Sequence, residues 1–525
     1  MDCATSPRKA GTACWRRILP SLVVFAVSVL MALPMWAMDV DIAGKPLKIG
    51  GYINQGIGYG IAEDTYDSMQ GFQSFKYDML VETEYIPHPD FQIFVSGMLS
   101  GDFAYDILGN DSDWKNKGFS DSRGALSHDT VLRDLLQEAH ITWNVGNFLL
   151  RAGKQIVVWG ETDAIRLMDQ INPLDQRRGI TDVEFESSVM PIWLMRADYF
   201  FNLDSTWMQD LGLQFIFNPN ADFVPERLAY PGNENLGIWA SNVPVQLGPG
   251  LIAHMGSFDD TLAEPDEWDP DGYEYGVRLR TVAWDAIMTL NYFYGLDNNP
   301  AAIFVPAMPG IEGNAFDNQP VIHLVREGCY PRFRILGATF TRDFESLNLS
   351  ALGGVAPVLR MEGFYGFSNT FSTDLGPGLD RFEEYDEFRY AVGVDWKIKI
   401  PWLNPRAYFL IMPQFYYRHI MDYPEDHKLM DGSGPPVPED TYMTTLRVST
   451  TYFHNKLEPS FTWVADHAYY SGFCIPQLKY EYSDAWDFTL GAVFIYGDDG
   501  LSSAGQSLHK LTNKDHIYLT VAYRF

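Results

Sequence analysis

HIYLTVAYRF, residues 516–525, ends the chain. Ile517, Leu519, Val521, Tyr523 and Phe525 fall on one face of an extended strand, and His516, Tyr518, Thr520 and Arg524 on the other, because residues i and i+2 of a strand share a face. The stretch 486–496 has the same form, with Trp486, Phe488, Leu490, Ala492, Phe494 and Tyr496 on one side. Phe388, Tyr390, Val392, Val394, Trp396 and Ile398 alternate with Arg389, Ala391, Gly393, Asp395 and Lys397. Near the start, Leu47, Ile49, Ile53, Ile57 and Tyr59 alternate with Lys48, Gly50, Asn54, Gly56 and Gly58.

Soluble sandwiches also alternate, but two features point elsewhere. The polar faces carry full charges in mid-strand, which suits a hydrated lumen and not a dry core. The connections also alternate in length. Short ones lie at 87–90, 145–147, 284–286, 454–456 and 483–485, and long ones at 106–133, 160–190, 219–271, 297–330, 421–440 and 498–513. Short periplasmic turns with long external loops are the pattern of outer-membrane barrels. The expected fold is therefore all-β: a transmembrane antiparallel β-barrel of about 18 strands, with 16 as the alternative, and both termini periplasmic. The terminal strand ending in Tyr523 and Phe525 resembles the sorting signal read by barrel-assembly machinery, an expected partner along with outer-membrane lipid and lipopolysaccharide.

Composition agrees. Hydrophobic residues make up 46% of the 525 residues, yet no segment beyond the N-terminal region holds 18 uninterrupted apolar residues, the length a membrane helix needs. Aromatics reach 15%, including 29 Tyr and 14 Trp, the residues that interfacial girdles concentrate. Arg8, Lys9, Arg16 and Arg17 form a basic leader, followed by an apolar run from Ile18 to Leu33, Pro34 and small Ala37. This is signal-peptide anatomy. It divides the chain into a signal peptide, 1–37, and a barrel, 38–525. Removing the leader takes away four bases and Asp2, so the net charge falls from −30 to about −33. Such a chain does not bind nucleic acid through phosphates, which need clustered Lys and Arg. Cys329 and Cys474 alone remain beyond the leader, enough for one disulfide in an oxidising compartment. No cofactor or metal is expected. The acidic run 264–272 lacks the ligand series of a calcium loop.

Residues 136–200 carry the most specific signal. Arg151-x-Gly-x-Gln155, Trp159-Gly-Glu161 and Asp169-x-Ile-Asn-Pro-x-Asp175 follow one another closely. In these motifs and their spacing the chain resembles the porin-like family catalogued as domain of unknown function 1302. The resemblance implies an outer-membrane barrel, with an exporter-like or lipoprotein component as partner. It implies no particular substrate.

From the residues themselves, Arg151, Gly153 and Gln155 share a face, read as lumenal. Lys154 then falls on the lipid side, where a mid-bilayer base costs roughly 2–4 kcal/mol, so an interfacial position or a bulge is needed. Alternation stops after Trp159. The segment 160–190 holds Glu161, Asp163, Asp169, Asp175, Asp182, Glu184 and Glu186 against Arg166, Arg177 and Arg178, with a turn at Asn172-Pro173. It reads either as an inward loop that narrows the lumen or as an external loop facing water. Strand phase places Asp78, Glu82, Glu84, Asp102 and Glu138 on an early lumen wall, and Arg278, Arg280, Arg332, Arg334, Arg389, Arg406 and Arg447 on a later one. The two rows would either set a field across the pore or pair with each other and with loop carboxylates.

The reading of function is a channel for small solutes or an exported molecule, with no reaction. The constriction would comprise Arg151, Gln155, Glu161, Asp163, Arg166, Asp169, Asn172 and Asp175, facing Arg278, Arg280, Arg332 and Arg334. The alternatives are an outer-membrane hydrolase, for which Asp466-His467 is the one adjacent acid–His pair of interest, and a surface receptor or adhesin using the long loops. No GxSxG or HExxH motif is present.

Overall fold

The computed structural model describes residues 38–42, 44–62, 70–108, 132–162, 166–177, 188–203, 205, 207–227, 245–248, 251–305, 311–313, 320–373, 375, 380–432, 436–497, 508, 511 and 514–525. Residues 1–37, where a signal peptide is expected, lie outside them.

Eighteen strands form a closed antiparallel barrel. They are β1 (Lys45–Gly60), β2 (Gly71–His88), β3 (Phe91–Asp102), β4 (Leu136–Val145), β5 (Phe148–Gln155), β6 (Ile192–Phe200), β7 (Met208–Asn218), β8 (Glu274–Ala283) and β9 (Ala286–Leu296). There follow β10 (Arg332–Asp343), β11 (Val358–Thr373), β12 (Phe382–Ile398), β13 (Phe409–Ile420), β14 (Asp440–Ser449), β15 (Leu457–Asp466), β16 (Ser471–Glu481), β17 (Trp486–Tyr496) and β18 (His516–Arg524). Each pairs with the next, and β18 returns to β1 with Ala522 opposite Asn54. Closure leaves no open edge in the membrane, where an unpaired backbone group costs several kcal/mol. Among the described residues no helix is long and apolar enough to cross a membrane.

At the seam, Phe525 exchanges backbone hydrogen bonds with Gly51, both at 3.0 Å. Below it, Met38–Ile42 takes over as the partner of β1, with Met38 opposite Ile49. Met38 and Phe525 thus lie at the end of the barrel that carries the short turns. One of those turns is Trp284-Asp285, with φ of 51° and 60°, the geometry of a two-residue hairpin loop.

The outward face is an apolar band. Leu279, Leu290, Leu336, Leu490, Ile517 and Leu519 are exposed there. Trp207 stacks on Trp284 at its lower rim, 5.1 Å between rings, and Tyr275 meets Tyr294 at the upper rim, 5.1 Å apart. From Trp284 to Tyr294 the strand climbs ~33 Å, which a tilt of about 40° reduces to ~25 Å along the axis. That is the height of the hydrocarbon band such barrels meet.

The long connections contain strands that alternation did not resolve. Val245–Gly248, Leu251–Ala263, Ala301–Val305, Ile311–Gly313 and Pro320–Cys329 form a second, five-stranded sheet. Leu251–Ala263 runs parallel to Pro320–Cys329. Their pairing spans two separate loops, so only the folded chain brings them together. Cys329 ends this sheet and Cys474 sits in β16, and the two are not joined.

Candidate functional site: a segment folded into the lumen

Strand β5 sets the site. Arg151 lies in register between Thr142 and Arg196, and its Nε donates to Thr142 Oγ1 at 2.9 Å. Gly153 has φ 135°, and a Cβ there would stand 2.1 Å from the Ala139 carbonyl oxygen. Only glycine fits this position. Gln155 is fully buried and donates to the Leu194 carbonyl at 3.1 Å. Lys154, nominally on the lipid side, is itself buried and donates to the Leu136 carbonyl at 2.6 Å.

After Gln155 the chain leaves the sheet and crosses the lumen. Its loop is fastened by the motif side chains. Asn172 Oδ1 accepts the Val157 N–H at 2.8 Å, and its amide donates to Gln155 O at 3.2 Å and Met190 O at 3.0 Å. Asp169 Oδ1 accepts the N–H groups of Trp159 at 2.6 Å and Gly160 at 2.8 Å. A Cβ on Gly160 would lie 2.5 Å from Asp169 Oδ2. The WGE and D-x-INP motifs are thus two halves of one hydrogen-bonded loop, whose buried amides need these acceptors.

The loop carries an apolar core with it. Val157, Trp159, Leu167, Met168 and Ile171 are buried against Ile192 and Leu194 of β6, Ile216 of β7, Phe293 of β9, Phe333 and Ile335 of β10, Phe364 of β11, Ala391 of β12 and Tyr416 of β13. Two glycines of the barrel make room. A Cβ on Gly276 would stand 2.6 Å from the Trp159 ring, and one on Gly337 would stand 2.5 Å from Met168 Sδ. The Trp159 indole N–H donates to Gln214 Oε1 at 2.7 Å, so the buried ring leaves no polar atom unmet.

Charged groups tie the far end. The Glu161 N–H donates to Glu362 Oε2 at 3.0 Å, and Thr162 also hydrogen-bonds that carboxylate. Arg360 donates to the Glu161 carbonyl at 2.6 Å and pairs with Asp395 at 2.7 Å. Arg278 reaches the Glu161 carboxylate at 3.6 Å and the Val158 carbonyl at 3.2 Å. The segment is therefore anchored on β8 and β11, three and six strands round the barrel from β5.

A family model described as Protein of unknown function (DUF1302) matches residues 72–525. The chain belongs to the DUF1302 family. It is a porin-like outer-membrane β-barrel. No curated protein matches it in sequence. Among solved structures it is similar to OpdK of Pseudomonas aeruginosa with vanillate, at 8% identity and TM-score 0.44, over 91% of this chain and 98% of that one. It is likewise similar to OccAB3 of Acinetobacter baumannii, at 8% and 0.44, over 91% and 99%. With OmpF of Salmonella typhi in complex with daunomycin the values are 11% and 0.36, over 93% and 100%.

In this DUF1302 member the other expected site residues separate into groups. Arg166 donates to the Asn172 carbonyl at 3.2 Å, within the loop. Asp175 pairs with Arg177 at 2.5 Å and Arg227 at 3.5 Å, so Asp169 and Asp175 hold the loop's shape. Asp163 lies outside the described residues, as do Arg178, Asp182, Glu184 and Glu186. Arg280 faces the lumen and pairs with Asp210 at 2.8 Å. Tyr523 and Phe525 lie on the outward face at the seam, rings 6.2 Å apart.

Arg332 and Arg334 require correction: they point outward. Phe333 and Ile335, their neighbours in β10, take the inward positions in the buried cluster, so the arginines lie on the opposite face. The rule that the polar face is lumenal fails here because the lumen is filled with apolar side chains at this point.

The two opposed rows of lumen charge are also broken up by local partners. Glu84 takes Lys48 at 2.8 Å, Glu138 accepts the Ile156 N–H at 2.9 Å, and Arg389 takes Glu387 at 2.6 Å. Asp466 and His467 point to opposite sides: Asp466 accepts the Ala468 N–H at 3.0 Å, and His467 meets Thr444 at 2.8 Å. Asp269 caps the short turn Pro270–Gly272.

Sequence reading missed a second knot. Glu387 binds Arg418 at 2.7 Å, and Arg418 forks onto Asp431 at 2.6 and 2.9 Å. This draws the connection 421–439 into the mouth of the barrel. Beside it, burial raises the Asp297 carboxyl to about 7 and also raises that of Glu226. Glu226 accepts amide hydrogens from Asn299 and Gln176, both at 2.7 Å. Their sequence signal was weak, since isolated acids in long loops usually face water.

Proposed function

We propose that this barrel is a channel for small solutes or an exported molecule, narrowed by the inward segment 156–177, with passage along the opposite side of the lumen. The observation that carries the reading is the course of that segment. It packs on β6 to β13, whereas on β1 to β3 and β14 to β18 the inward positions mix small and polar residues with a separate apolar cluster of Val493, Ile495, Leu511 and Tyr518 near the end of β17. Asn54, Gly56, Asp78, Ser100, Thr445 and Thr489 are among the small and polar ones. A barrel of this size leaves an aqueous passage wherever side chains or loops do not fill it.

Planar-bilayer conductance tests it. In a Cys329→Ser/Cys474→Ser background, Gly56→Cys labelled with a charged thiol reagent should reduce single-channel current. The double variant Trp159→Ala/Met168→Ala should raise current and its noise, as the segment loosens from its glycine pockets. If folded protein, identified by heat-modifiable migration, conducts identically in both cases, the segment does not border the passage and the reading fails.

A further inference from the structure

The outward arginines of β10 have a consequence for the membrane around the barrel. Arg334 sits opposite Tyr294 in the ladder and is exposed. Among the described residues it has no hydrogen bond or ion pair. Arg332 lies two residues nearer the barrel mouth, about 7 Å along the strand. It is held in place: its Nη1 donates to the Tyr273 carbonyl at 2.7 Å, it also meets the Asp271 carbonyl, and its guanidinium stands 5.0 Å over the Tyr294 ring.

Their height is set by the aromatic rims. Tyr294 lies ~25 Å above Trp284, the span of a hydrocarbon band, so Arg334 stands at its upper boundary. Tyr275 and Tyr294 flank it on one side. On the other lies Asp386, already engaged by the Tyr365 hydroxyl at 2.6 Å and the Ser368 N–H at 2.8 Å. An unpaired guanidinium at this level faces headgroups. The groups there that match its charge and forked geometry are phosphates.

We propose that Arg334, with Arg332 beside it, binds a phosphate of a phosphorylated glycolipid in the outer leaflet, of the diphosphoryl lipid A class. The inference rests on the outer-membrane placement and is independent of conduction. A chain of net charge −30 in an anionic leaflet repels its own surroundings, and exposed Arg334 beside half-buried Arg332 places two bases on the outward face there. The tyrosine ring beneath Arg332 keeps that guanidinium oriented. The Arg334 side chain is left for the ligand.

The test is lipid binding to the folded barrel in detergent micelles, followed by native mass spectrometry with diphosphoryl and monophosphoryl lipid A. Arg334→Gln should weaken binding of the diphosphoryl lipid about tenfold, the loss expected for one charge-assisted pair. Arg334→Lys should retain part of it. Arg342→Gln is the control, because Arg342 occupies the same outward face at the opposite rim, over Phe344. It should leave binding unchanged. Equal affinity of wild type and Arg334→Gln would overturn the proposal. So would equal losses in Arg334→Gln and Arg342→Gln, which would mean nonspecific charge. A change in oligomeric mass without a change in lipid binding would instead make the patch an interface between copies, and would also overturn it.

Discussion

Two sectors of one barrel use the same backbone and solve opposite problems. On β6 to β13 the inward face carries a buried apolar patch, against which Trp159, Met168 and their neighbours pack, bordered by paired charges such as Arg278 with Glu161 and Glu387 with Arg418. On β1 to β3 and β14 to β18 the inward face keeps Asn54, Asp78, Ser100 and Thr489, and glycines at 56 and 58. What a strand face must be is decided by what stands opposite it. Where the apolar side chains of the inward segment meet β10, Phe333 and Ile335 turn inward to them and Arg334 turns outward. Where nothing apolar covers the inward face, alternation keeps its usual sense.

The sharpest way to break this contrast is to mutate equivalent positions in each sector. Trp159→Ala should cost about 3–5 kcal/mol, the usual loss for a buried aromatic. Asn54→Ala should cost under about 1.5 kcal/mol, because the Asn54 Oδ1 has no hydrogen-bond partner to lose. Urea midpoints of the folded barrel would measure both, and equal losses would dissolve the distinction.

The second knot offers an effect of nearly the same size. Arg418→Met leaves the fully buried Glu387 with Arg389 and Asn369 only and releases Asp431, so the loss should fall below the about 3–5 kcal/mol of a buried charge left with no partner. The connection 421–439 should then become accessible to protease on intact cells before the barrel itself unfolds. Protection equal to wild type would show that the knot does not hold the loop.

Glycines sharpen the comparison at a smaller scale. Gly337→Ala would press on Met168, and overpacking of this kind costs about 1–3 kcal/mol. Gly56→Ala meets only Thr520 Oγ1, at 3.6 Å, and should be neutral or slightly stabilising, since glycine weakens a strand. A thermal shift of the gel-mobility transition would separate them.

The smallest effect is a pH slope. Asp297 has its carboxyl raised by burial to about 7 from 3.8. The folded form therefore holds the proton that the unfolded chain releases, and stability falls as pH rises between those values. Asp297→Asn should flatten the slope over that window, measured as the urea midpoint against pH. An unchanged slope would assign the titration elsewhere.

Much of this protein was legible from residue order alone. Alternation in stretches such as 388–398 and 486–496, together with short connections at 87–90, 145–147 and 284–286, determined a closed barrel of about 18 strands, because period-two patterning and turn length are local properties. The motifs around Gln155, Trp159 and Asp169 marked where the pattern stops. Tertiary structure decided the rest. The cluster around Trp159 draws on residues more than 250 positions away, as with Tyr416, and no local period encodes such packing. The facing of Arg334 was likewise beyond reach, since Arg332-Phe-Arg-Ile335 alternates equally well in either phase. Only the apolar segment inside the barrel determines which phase is inward: burying Phe333 and Ile335 against it removes apolar surface from water, whereas a guanidinium there would lose its hydration.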